Sequence, residues 1–141
     1  MNPRSRLWLA TLLCAACASH RLPPEDLAKA DLEAMREAVV TQISDAPRAA
    51  RLNRAIDGID MQMRTFAAAA RSFQDNVQAL NSRPDATRAE FDTLIEQFDT
   101  QRSAVRKALL ELHFEMISAT TAEEWKHLSP YERAVLGVEG H

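Results

Sequence analysis

Apolar side chains between Leu52 and Leu80 recur at Leu52, Ile56, Ile59, Met63, Phe66, Ala70, Phe73, Val77 and Leu80. The steps alternate between four and three without a miss, so on an α-helix all nine lie in one seam. A second seam follows at Phe91, Ile95, Phe98, Val105, Leu109, Leu112, Met116 and Ala119, interrupted only by Arg102. The polar link Asn81-Ser82-Arg83-Pro84-Asp85 separates the two. Together they predict an antiparallel helical hairpin, about 47–80 and 87–118, in the manner of a short coiled coil.

Folding the seams about the link pairs Leu80 with Phe91, Val77 with Ile95, Phe73 with Phe98 and Phe66 with Val105. Further down, Met63 meets Leu109, Ile59 meets Leu112 and Ile56 meets Met116. Arg102 then falls opposite Ala70, whose small side chain leaves the guanidinium room to reach the rim near Asp75 or Asp99. A register-setting role is the expectation for Arg102, with anion binding as the alternative. Asp85 or Thr87 is suited to cap the second rod, and Thr87 with Glu90 forms a capping box.

Ahead of the hairpin, Ala28, Leu32, Met35, Val39, Ile43 and Ala46 make one face of a helix over about 25–44. Pro23 and Pro24 precede it, and Asp45-Ala46-Pro47 ends it. After the hairpin, Thr120/Glu123 and Ser129/Glu132 read as two capping boxes, the second with Pro130 at a first helical position. They predict short helices over about 121–128 and 130–137, presenting Trp125, Leu128, Val135 and Leu136. A second apolar row at Leu110, Phe114 and Ile117 is expected to be covered at the same end, with Met61 and Ala68 as a matching surface. The fold class is therefore all-α: a long hairpin with an N-terminal helix and short C-terminal helices packed at its open end. Its tip, with fewer partners, is expected to be the more mobile part.

Composition narrows the function. Glycine occurs only three times in 141 residues, which leaves no glycine turns for a nucleotide-binding α/β fold. The formal charge is −3. Without Arg4 and Arg6, 15 basic side chains face 20 acidic ones, a net −5. Such a balance argues against nucleic acid as a partner, since phosphate contacts need a basic face. The cluster Arg48, Arg51 and Arg54 reads as a solvated flank of the first seam.

The first residues change the address. Arg4 and Arg6 precede the apolar run Leu7–Ala16, which is too short to span a bilayer and suits an export signal. Cys14-Ala15-Ala16-Cys17-Ala18-Ser19 resembles the signal of bacterial lipoproteins, in which small residues precede a cysteine that is lipidated and becomes the mature N-terminus. Ala15 and Ala16 match the small positions, while Cys14 stands where an aliphatic residue is usual. The resemblance implies lipidation, of palmitate type, at Cys17 and a membrane partner through that lipid. With no acidic residue after the cysteine, it also implies the periplasmic side of the outer membrane. The alternative is cleavage after Ala18, which gives a soluble periplasmic protein with no lipid. The expected organisation is a signal over 1–17, a tether over 18–24 and a helical body over 25–138. With both cysteines in or beside the signal, the body has no disulfide and must be held by packing.

Catalysis requires a convergent nucleophile, base and stabilising donors. The body offers no cysteine, no Gly-x-Ser-x-Gly turn and no phosphate-cradling loop, so a non-enzyme without cofactor is the expectation. Metal is the open chemical question: His113 and Met116 share a helix side, with Met61 and Met63 across the hairpin, a soft set suited to copper(I). The plainer reading is core packing by the methionines and a hydrogen-bonded histidine, and no metal ligand is assigned. Ala119-Thr120-Thr121-Ala122-Glu123-Glu124, following that helix, resembles the Spy/CpxP-like periplasmic chaperones and heavy-metal sensors. Their Leu-Thr-x-x-Gln signature is met once, at Thr121–Glu124, with Glu in place of Gln. That likeness implies binding of unfolded chains or metal in the envelope. The leading expectation remains a helical interaction or structural module whose partner is an envelope protein or a second copy.

Overall fold

A computed structural model describes residues 24–137, with side chains from residue 29 onward. The expected export signal, Cys17 and nearly all of the expected tether lie outside the described residues. Four helices follow in order: α1 (Pro24–Gln42), α2 (Ala46–Asn81), α3 (Arg88–Ser118) and α4 (Ala122–Leu136). The long α2·α3 pair runs antiparallel, and α1 packs on α4 and, less extensively, on α2.

Each boundary has a local cause. Asp45 has extended backbone and accepts a hydrogen bond from the Arg48 N–H at 2.8 Å, capping α2 with Pro47 in its first turn. This cap ends α1 two residues before the expected Ser44, and it leaves Ala46 exposed. Thr87 caps α3 as expected. The Thr87 hydroxyl accepts from the Glu90 N–H, and the Glu90 carboxylate accepts from the Thr87 N–H at 2.8 Å.

The hairpin has the register read from the seams. Phe73 stacks on Phe98 with centroids 4.6 Å apart, and Phe66 lies 6.2 Å from the same ring. At Gly58 the two rods approach so closely that an added Cβ would come within 2.7 Å of Leu112 Cδ2. Glycine mid-helix costs about 1 kcal/mol relative to alanine, and here it admits the facing leucine. Arg102 reaches the rim and pairs with Asp99 at 3.0 Å, one of the two acids expected for it.

Burial is concentrated at one end. Leu32, Met35, Val39 and Ile43 of α1 join Leu52, Ala55, Ile56 and Ile59 of α2, Met116 of α3, Ala119, and Leu128 and Val135 of α4. Towards the tip the seam residues of α2 beyond Ile59 are only half-buried, and Ile95 is exposed. Two helices alone cannot enclose a side chain that a third would cover.

Three expectations are corrected. The C-terminal segment is one helix, not two, and it continues through Pro130. A mid-helix proline forfeits a hydrogen bond and costs about 3 kcal/mol. A break there would turn Glu132 and Val135 off the face shared with Trp125 and Leu128, so tertiary packing prevails over the local signal. The cap of this helix is Thr121 with Glu124, one residue later than Thr120 with Glu123. Finally, Leu110, Phe114 and Ile117 are not covered: α1 and α4 close the base from another side and leave this row on the surface. Met61 is exposed too, on the outer side of α2, and Ala68 offers no cover.

Candidate interaction surface

Polar ties at the base fix which faces remain outside. Glu132, only 3 % exposed, lies on the buried side of α4. Its two carboxylate oxygens each stand 2.9 Å from Nδ1 of His113 on α3. A carboxylate only accepts, so Nδ1 carries the proton of that bond. Trp125 and Phe114 meet the imidazole edge-on, at 5.6 and 5.3 Å. The pair clamps α4 to α3, and sequence reasoning misses it because Ser129 and Glu132 read as a capping box. The signal was present: in one continuous helix, Trp125, Leu128, Glu132 and Val135 recur at steps of three and four, placing an acid on an apolar face.

The arginine cluster also does more than face solvent. The two terminal guanidinium nitrogens of Arg48 donate to the Glu124 carboxylate, at 2.6 and 3.1 Å, tying α2 to α4. Arg51 donates to Glu115 and to Ser118 Oγ, tying α2 to α3. On the opposite flank Arg36 of α1 donates to Asp57 of α2 at 2.7 Å. Arg48 holds the Glu124 carboxyl at about 2, helped by the Thr121 N–H. The sign follows directly. A carboxylate lowered on folding stabilises the fold above its ordinary value of 4.5, and that contribution is lost as pH falls towards about 2. Acid titration followed by circular dichroism is expected to show Glu124→Gln less stable than the parent at pH 6. The difference should shrink below pH 4; one that stays constant through that window defeats the assignment.

The candidate metal residues are not gathered into a site. Met116 is fully buried in the core and Met63 packs beside it, whereas Met61 is 58 % exposed and His113 is held by Glu132. Among the described residues no group of three or more His, Cys, Asp and Glu side chains is placed to hold a metal ion. A groove at the tip between Leu80 and Leu94, and another beside Arg36 between α1 and α2, are both open to solvent. No helix of the described residues is long and apolar enough to cross a membrane.

What the geometry leaves for recognition is the outer side of α3. Leu110, Phe114 and Ile117 are 51 %, 63 % and 38 % exposed, at steps of four and three, so they form one apolar strip. Arg106 and Lys107 adjoin it one turn earlier, and Asp92, Glu96 and Asp99 lie towards the tip. Compared with family models, with curated proteins and with solved structures, the chain finds no match.

Proposed function

We propose that this chain is an exported, lipid-anchored helical protein that works by non-catalytic contact, through the outer side of α3, in the cell envelope. The exposed strip Leu110-Phe114-Ile117 on a well-capped helix carries the interaction part of this reading. A large aromatic and two aliphatic side chains held outward on a rigid rod make the kind of preformed anchor that partner surfaces use. The address rests on Ala15-Ala16-Cys17 after an apolar run. A lipidated Cys17 followed by a short polar tether would hold the base and arm at the periplasmic face of the outer membrane.

Mass spectrometry of the membrane-extracted chain tests the address: a diacylglyceryl adduct on Cys17 is the expected result. An unmodified chain starting at Ser19 overturns it in favour of a soluble periplasmic protein. The metal-sensor and chaperone alternatives gain no particular support from the site. His113 has its Nδ1 engaged by Glu132, and Thr121 and Glu124, the residues of the Spy/CpxP-like resemblance, cap α4.

A further inference from the structure

The outer side of α3 carries a pattern that is complementary to itself. Ile95, Asp99, Ser103, Arg106 and Leu110 follow at steps of three and four and are all exposed; Ile95 stands at the outer edge of the seam that meets α2, and the other four lie off it. Asp99 and Arg106 stand equally far on either side of the point between residues 102 and 103. So do Ile95 and Leu110, and that point lies within half a residue of the middle of α3, at Ser103.

We infer that the partner of this face is a second copy of the chain, docked antiparallel along α3. This rests on the reading of the protein as an interaction module and names its partner. A two-fold axis through the centre of α3 sets Asp99 against Arg106 of the other copy, twice, and Ile95 against Leu110, twice. The helices then overlap along nearly the whole of the 31-residue α3, residues 88–117, about 45 Å at the usual helical rise. Ile117 falls over the Arg88 stem at the start of the other α3, where aliphatic carbons cover it. A parallel arrangement instead sets acid on acid and base on base along the same face. Charge therefore selects one orientation, as electrostatic patterning commonly does between helices. An unrelated apolar partner accounts for the strip at the base, but not for the mirrored charges about residue 103.

Charge exchange tests the pairing. Sedimentation velocity on the purified full chain in mild detergent, at about 1–100 µM, is expected to show a reversible dimer. Asp99→Lys and Arg106→Asp, each alone, reverse two contacts per dimer and should weaken association by about tenfold or more. An equimolar mixture of the two variants restores opposite charges at both contacts and should recover the dimer. Recovery also shows that both variants are folded. A parent chain that stays monomeric, single variants that still dimerise, or a mixture that does not recover would each overturn the inference. The state of Cys17 is read separately, so a failed dimer and a failed address are distinguishable.

Discussion

His113→Ala is expected to destabilise the protein by about 3 kcal/mol near neutral pH, far more than loss of a half-buried side chain ordinarily costs. Glu132 is 3 % exposed and stays inside when its imidazole is removed, leaving a buried carboxyl without its partner. The asymmetry is the informative part. Glu132→Leu removes the group that needs a partner and leaves a His113 that water reaches, so its effect should be small or favourable. Urea unfolding of the two single variants and the double variant measures this as a cycle. The double variant is expected to be less destabilised than His113→Ala alone. A loss under about 0.5 kcal/mol for His113→Ala would mean that the clamp between α3 and α4 contributes nothing.

Leu128→Ala should cost about 2–5 kcal/mol, the range for emptying a fully enclosed leucine site. Leu128 is wholly buried among side chains of the base cluster. Small domains hold only about 5–15 kcal/mol in total, so this change brings the chain close to its limit. Leu110→Ala, the same substitution on the exposed side of α3, should stay within about 0.5 kcal/mol. Parallel urea curves make the comparison. Equal midpoints for the two variants would show that α4 is not part of the cooperative unit.

The long-range regularities of the chain were legible before any coordinates. Nine apolar positions from Leu52 to Leu80 and their counterparts after Phe91 fixed a period, and the link at Pro84 fixed the fold-back. The Phe73–Phe98 stack followed from that arithmetic. Where two local signals competed, sequence reasoning chose the stronger letter and lost. Ser129-Pro130 has the form of a helix start, yet Glu132 and Val135 have buried places to occupy on the face of Leu128, and the helix runs on. The row at Leu110, Phe114 and Ile117 misled for a different reason. Apolar spacing says that a face is suited to burial, not whether this chain supplies the cover. Arg48 and Arg51 read as solvent-facing in the sequence because their partners, Glu124 and Glu115, lie more than sixty residues away. Ion pairs at that separation leave no periodicity to detect.

The base cluster joins the two extremities of the described chain, Leu32 in α1 and Val135 in α4, while α2 and α3 form a unit of near neighbours. Assembly therefore has an order. The hairpin closes across a six-residue link and is the quick step, whereas sealing the base waits for a loop of about a hundred residues to shut. Until the final fifteen-residue helix has been made, Met35 and Val39 have no lid. A chain on which α4 has not yet been translated consequently has its hairpin but an open base.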